Sequence, residues 1–535
     1  MLFVRVSAAL LLFTVACGHS SDTSPDAGTM PDGGRQGPPP CMGDRSACAT
    51  AWEQAASDKF DGLLTDTTGL AAFLKGMPKG GDLHNHLSGA VYAETYLGWA
   101  HSDGDCVSTS TYAAVNSGSC STTNVAVPTA GALYDSIVRA WSMEGFVAGA
   151  ETGHDHFFAT FGKYGLVAGT HRDQTIADVA TRAADENEVY VETMFNLAKN
   201  TGTLSASLWS GTLTANDLPT LYNQLTTNAG FANAINSDVA VVKSAASGYR
   251  NVLGCSAPMA PDACNVEVRF IAQVSRTGAS DQVFGQLVGA FEMASRTNQI
   301  VALNLSSPED DSASLANYDL QMAMLDFLHT KYAGTSPLHV TLHAGELTAA
   351  YLPSGSTANT YHIRAAVETA HAERIGHGLD IASETGSDQL MAEMATNHVL
   401  VEVCLSSNAQ ILEVSGAAHP LASYLAAGVP VALATDDQGV SRSSMAGEYQ
   451  RAALDQHLTY RQIKTLARNS LEHAFVPGAS LWTAVGTPVD ACAPSATMAI
   501  GDTPSAACAA FLASSERAKL QWDLEGRFLE FESQQ

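Results

Sequence analysis

Eight short runs of β-forming residues, separated by longer helical stretches, constrain this chain more than any other feature. The runs are 82–87, 189–195, 268–275, 301–306, 339–343, 374–377, 400–405 and 429–435. Amphipathic segments lie between or after the later runs, at 357–372, 387–397, 420–427 and 444–457, with apolar residues at helical spacing. Strands that alternate with helices form a parallel sheet, because each helix carries the chain back to the edge where the next strand starts. Eight such units predict an α/β fold, a closed (β/α)8 barrel of the TIM type, rather than an open sheet. Such a barrel takes roughly 250 residues. The 535 residues present allow either one enlarged barrel or two domains. We place the barrel at 76–480, a helical N-terminal extension at 41–75 and a helical C-terminal extension at 481–535. Trp52, Phe60, Leu63, Leu64, Leu70 and Phe73 supply the apolar positions of the first extension. The first connection, 88–188, is far longer than a crossover needs and carries Phe157-Phe158-Ala159-Thr160-Phe161. A long insertion after a barrel strand predicts a lid over the site.

The first 17 residues read as an export signal. Arg5 precedes an apolar run, 6–16, too short to span a bilayer. Thr14-Val15-Ala16-Cys17 resembles a lipobox, with Cys17 as the lipidated residue. Thr14 stands where Leu is usual, which leaves ordinary cleavage and release open. Residues 18–40, rich in Ser, Asp, Gly and Pro, read as an extended linker. The expected location is therefore outside the cytoplasm: an outer-membrane or cell-surface lipoprotein, or else a periplasmic or secreted protein. Eight of the ten cysteines form near-neighbour pairs, Cys41/Cys48, Cys106/Cys120, Cys255/Cys264 and Cys492/Cys508, each bracketing a polar loop. In an exported chain these read as four local disulfides, with Cys404 left as a buried free thiol. The net charge of −27 opposes binding to nucleic acid or anionic lipid. It suits an uncharged small substrate, and equally it could serve solubility alone.

In a barrel of this kind, reactive groups sit at the C-terminal ends of the strands. The first run ends in Leu83-His84-Asn85-His86-Leu87. Side chains two apart share a face, so both imidazoles can reach one metal ion. The fifth ends in His343-Ala344-Gly345-Glu346, a third nitrogen followed by a carboxylate placed past a turn, where it could act as a general acid. The sixth ends in Gly376-His377-Gly378, with room for a close ligand. The eighth ends in Thr435-Asp436-Asp437. Adjacent strand residues point opposite ways, so one carboxylate could meet a metal and the other a substrate. Each motif alone fits a bland role: a polar face, a buried structural carboxylate, a core histidine, a strand-end turn. Their joint placement at strand ends, in barrel order, does not.

These residues resemble the adenosine deaminase family of metal-dependent amidohydrolase barrels, including its secreted, growth-factor-related branch. The matching segments are MPKGGDLHNHLSGA (77–90), LHAGE (342–346), RIGHG (374–378), VCLSSN (403–408), TDD (435–437) and ARNSLEHAF (467–475). The resemblance implies one Zn2+ held by His84, His86, His343 and Asp436. It implies that His377 orients and helps deprotonate a water that Asp436 also holds. Glu346 would protonate a purine ring nitrogen, and Asp437 would bind the purine's imidazole-ring nitrogen. The reaction implied is hydrolysis of adenosine or 2′-deoxyadenosine to the inosine product and ammonia. Another aminopurine (adenine, a nucleotide, a modified nucleoside) is the alternative substrate, and a non-catalytic nucleoside-binding surface protein the alternative role. Two positions depart from the family's cytosolic members: Ser88 replaces an Asp that contacts the sugar, and Ser307 replaces a Gly whose NH meets the purine. The expected partner is a purine nucleoside, not nucleic acid, with membrane contact only through Cys17.

Overall fold

The structure, a computed structural model, describes Cys41 and residues 43–535. The export signal, Cys17 and the proposed linker lie outside the described residues. Eight parallel strands form the central sheet: β1 (Gly80–His86), β2 (Glu188–Phe195), β3 (Glu267–Ser275), β4 (Ile300–Ser306), β5 (His339–Ala344), β6 (Arg374–His377), β7 (Leu400–Val403) and β8 (Val431–Leu433). They pair in sequence order. A bridge between Asn85 and Asp436 brings the last strand's end to the first. There the Asp436 amide donates to the His84 carbonyl at 2.8 Å and the His86 amide to the Asp436 carbonyl at 3.1 Å. The order 1 to 8 with this closure is the (β/α)8 barrel expected. Its strands are buried over nearly their whole length, as parallel strands covered by helices must be.

The helical region expected at 42–75 is two helices, α1 (Arg45–Leu63) and α2 (Thr67–Gly76). Asp66 explains the split, and Asp44 caps the start of α1. Each side chain accepts from amides of the following turn, Asp44 from Ser46 and Ala47, Asp66 from Gly69, and an N-cap starts a helix rather than continuing one. The amphipathic segment at 357–372 is also shorter than read, with an α-helix only at His362–Glu368.

The long first connection carries α3 (Gly153–Thr170), which begins at Thr152, whose hydroxyl accepts from the Asp155 amide at 3.0 Å. It also holds a small antiparallel sheet of Cys106–Ser108, Ala114–Val115 and Asn124–Ala126. Tyr96, Trp141, Phe157 and Tyr164 from this insertion pack with Leu379, Ile411 and Val440 from the ends of the barrel. A second long connection, between β2 and β3, went unremarked in the sequence; it holds the 23-residue helix Phe231–Leu253. The four expected disulfides form, and Cys404 is free and buried.

Both extensions pack on α4 (Tyr460–Glu472), the helix after β8. The C-terminal α5 (Glu516–Ser533) lies against α1 and α4. Phe73 meets Phe60, Tyr460 and Phe531 with ring centroids 5.0–6.0 Å apart. Among the described residues, no helix is long and apolar enough to cross a membrane.

Candidate active site

At the C-terminal mouth of the barrel, three imidazoles point their Nε2 atoms at one another. His84 and His86 each stand 3.1 Å from His343 by these nitrogens. Asp436 Oδ1 lies 3.5 Å from His84 Nε2 and 3.4 Å from His86 Nε2. One ligand atom from each of the four residues fits within 4.8 Å of all the others.

The opposite nitrogens explain why these atoms face inward. His84 Nδ1 donates to Glu402 Oε2 at 2.7 Å, His343 Nδ1 to Asn304 Oδ1 at 2.7 Å and His86 Nδ1 to Gln273 Oε1 at 3.4 Å. With Nδ1 carrying the proton, each Nε2 presents a lone pair, and three lone pairs converging in a buried site repel unless a cation sits between them. Nitrogens 2.0–2.1 Å from a tetrahedral zinc are about 3.4 Å apart, close to the spacing here. Three imidazoles and a carboxylate are also the hard-to-borderline donors zinc takes. The residues fit the ion the sequence resemblance implies. Burial opposes charge on all three rings. It carries His86 to about 4 and, helped by the charge of the neighbouring rings, His343 well below the usual range; Asp436 and Glu402 outweigh it at His84 and raise that ring to about 10. The proton this leaves in the cluster is the charge a cation would replace.

Local backbone delivers these groups. Gly345 adopts φ +72°, turning the chain so that Glu346 comes back over the mouth. A Cβ on Gly376 would stand 2.6 Å from His84 Cε1, so only glycine lets β6 approach that ring. Asp436 and Asp437 do not alternate as strand neighbours, because β8 ends at Leu433. Asp436 instead takes φ +57°, and this bend is what lets both carboxylates reach the same cavity.

That cavity, about 340 Å³, is lined by His86, His343, Glu346, His377, Asp436 and Asp437, and also by Ser88, Ser307 and the lid residues Phe157, Phe158 and Phe161. All the residues singled out from sequence therefore meet in one place, and the aromatic segment covers it. Burial first, then the charges of Asp436 and Glu309, hold the Glu346 carboxyl well above the usual range. Burial and Asp436 do the same to Asp437, whose Oδ1 is buried without a partner. His377 Nε2 is likewise buried without a hydrogen bond, 3.6 Å from Glu346 Oε1 and 3.9 Å from Asp436 Oδ2. Cys404 also lies near His84, His377 and Asp436, and burial raises its thiol well above the usual range. A larger cavity, about 660 Å³, opens at the N-terminal ends of the strands against Arg374 and Phe475. It contains none of the four donors, and chemistry rather than size assigns the site.

Sequence reasoning missed the outer partners: Glu402, Asn304 and Gln273 on the ligand rings, and Arg374, whose guanidinium pairs with both Glu402 and Glu192 at 2.6 Å. A signal was available. Glu402 is a single polar residue inside an apolar strand, Leu400-Val401-Glu402-Val403, and burying such a residue costs free energy unless it is paired.

Against known proteins, residues 247–481 match the family model described as adenosine deaminase. The chain is 30% identical over 213 residues to the adenosine deaminase of Yersinia enterocolitica, covering 40% of this chain and 57% of that protein. It is 31% identical over 212 residues to the adenosine deaminase of Aliivibrio fischeri, covering 39% and 56%. The chain thus spans a little over half the length of the curated relatives it matches. Among solved structures, arabidopsis ADAL complexed with GMP aligns with a TM-score of 0.50 at 20% identity, over 76% of this chain and 94% of that one; this is a likeness of fold. His84 and His86 lie outside the matched stretch, and the barrel's closure brings them to it.

Proposed function

We propose, from the match of residues 247–481 to the adenosine deaminase family model, that this chain is a zinc-dependent hydrolase that converts adenosine or 2′-deoxyadenosine and water to the inosine product and ammonia. The observation that carries the reading is the convergence of His84, His86, His343 and Asp436 within 4.8 Å, beside Glu346, whose carboxyl burial holds above the usual range. Zinc held by these four would supply Lewis acidity, bringing the pKa of water towards neutrality.

The chain's own residues account for the rest of the chemistry. The proton on Glu346 can pass to the purine ring nitrogen next to the carbon under attack, which makes that carbon electrophilic. His377 Nε2, without a protein partner, faces the side from which an attacking oxygen must come. Asp437, kept protonated, can donate to the imidazole-ring nitrogen of the base, and Phe157, Phe158 and Phe161 close over it and exclude water.

Two features favour a nucleoside over a nucleotide. Among the described residues no Lys or Arg lines the cavity, and a phosphate held without a cation would be costly. Arg442, the basic residue nearest the strand-eight motif, is taken by Glu94 at 2.6 Å and Glu144 at 2.9 Å. Ser88 and Ser307 put hydroxyls where the family's cytosolic members have Asp and Gly, and Ser307 keeps a glycine-like φ of +83°; these two positions bear on the choice of sugar and base. The four disulfides support the reading of an exported chain; we propose that it is held by a lipid at Cys17 or else released to the periplasm or beyond.

The test is metal analysis with a panel of adenosine, 2′-deoxyadenosine, adenine and AMP, read by ultraviolet loss and ammonia release. Adenosine should turn over and AMP should not. Glu346→Gln should keep the metal and lose at least about 100-fold in kcat. Tight adenosine binding by the metal-loaded protein with no inosine formed would instead support a binding protein.

A further inference from the structure

A chain of hydrogen bonds runs behind His377, away from the cavity, and its direction can be read from one end. At the outer end the backbone amide of Leu421 donates to His419 Nδ1 at 3.2 Å. A backbone N–H can only donate, so His419 Nδ1 is bare, and the ring's proton sits on Nε2. His419 Nε2 lies 3.1 Å from one end of the Asn408 amide. That end must accept, which makes it the oxygen. The other end is then the NH2 group, 3.0 Å from His377 Nδ1. It can only donate, so His377 Nδ1 is bare in turn.

We infer that Asn408 and His419 are positioning residues that fix the tautomer of His377, so that it enters the active site as a hydrogen-bond donor through Nε2–H. This rests on the deaminase reading of the site only for its catalytic consequence.

Three further observations agree with that direction. Asn408 is 0% and His419 3% exposed, so neither can exchange its partner for bulk water. Asp436 Oδ2, 3.9 Å from His377 Nε2, is a carboxylate oxygen, which accepts. Nε2 itself is buried with no protein partner, a donor directed at the place a water or substrate oxygen would occupy. The consequence concerns mechanism. A nitrogen that already carries a proton can hold an oxygen in place, but it cannot take a proton from it. Of the two roles the family resemblance implies for His377, orientation of the water fits this tautomer and its deprotonation does not.

The experiment is 15N NMR of histidine-labelled, zinc-loaded full chain, with the His377 signals assigned by their loss in His377→Asn. The expected wild-type pattern is a protonated Nε2 and a bare Nδ1; the reverse pattern overturns the proposal. Asn408→Asp replaces the donor with an acceptor and should put a proton on Nδ1, lowering kcat about 100-fold with KM and metal content little changed. An unaltered kcat would also overturn it. Should Asn408→Asp fail to fold, the outer pair of variants reads the same relay. His419→Leu frees the Asn408 amide to turn and should cost about tenfold in kcat, whereas His419→Gln, whose amide can still donate to Asn408, should recover most of it; equal loss in both would argue for packing alone. If the wild-type protein deaminates no aminopurine, the reaction assigned to the site fails, and the NMR pattern still decides the tautomer.

Discussion

Glu402 shows how much of the site depends on residues that touch neither metal nor substrate. Its Oε2 accepts from His84 Nδ1 at 2.7 Å and its Oε1 from Thr341 Oγ1 at 2.8 Å, and Oε1 also forms an ion pair with the Arg374 guanidinium. These bonds turn His84 so that Nε2 faces the shared centre, and they make that nitrogen more basic. Burial opposes the charge on Glu402, but Arg374 and His84 outweigh it and hold the carboxyl below the usual range. Glu402→Gln keeps the shape and loses the charge. It should weaken metal binding by about 10- to 100-fold, measured by competition with a chelator while far-ultraviolet circular dichroism stays unchanged. An unchanged affinity would mean that the ligand rings hold their orientation without this carboxylate.

At the scale of elements, α3 decides what can enter. Its first turn is held across the mouth by His154, whose Nε2 is 3.3 Å from Asp310 Oδ1 and whose ring stacks on Tyr351 at 4.9 Å. Asp310 follows β4 and Tyr351 follows β5, so the helix from the first connection is tied to loops from the far side of the barrel. Its Phe157, Phe158 and Phe161 then form the cavity's aromatic wall. Phe158, half-buried, packs edge-on to Phe157 at 5.2 Å and contributes mainly to binding. Phe158→Ala should raise KM for adenosine by about tenfold, the scale of one aromatic contact, and leave kcat within about twofold, as expected for an interaction made equally in ground and transition states. A fall in kcat with KM unchanged would instead show that the wall acts on the chemistry.

For the molecule as a whole, the ledger of buried charge sets how stability responds to pH. Glu448, on the helix Met445–Leu454, is buried behind the site and accepts from the Ser406 amide at 3.1 Å, with its Oε1 unpartnered. Burial raises its carboxyl from 4.5 to about 7, the Ser406 bonds opposing only in part. The folded state therefore holds this proton over a range in which the unfolded chain releases it. Its contribution is most favourable below pH 4.5 and declines as pH rises towards 7, by about 3 kcal/mol in all. Glu448→Gln should remove that slope, so that its stability gain over wild type in urea unfolding is larger at pH 8 than at pH 5. Equal gains at the two values would place the proton elsewhere.

The sequence by itself determined the rhythm of strands and helices, the residues at the strand ends, the lid segment and the cysteine pairs. All of these are written in local periodicity or short spacing, and local backbone preference is strong enough to keep them. It did not show the break between α1 and α2, because a single capping aspartate, Asp66, interrupts an otherwise continuous apolar pattern. Nor did it show how Asp436 and Asp437 share one cavity, which depends on a left-handed residue beyond the strand. The orienting partners of the ligand rings were decided only by the tertiary structure. His84 and Glu402 are 318 residues apart in the chain and 2.7 Å apart in space. A hydrogen bond is fixed by distance and angle, and no pattern along the chain encodes either until the barrel has closed.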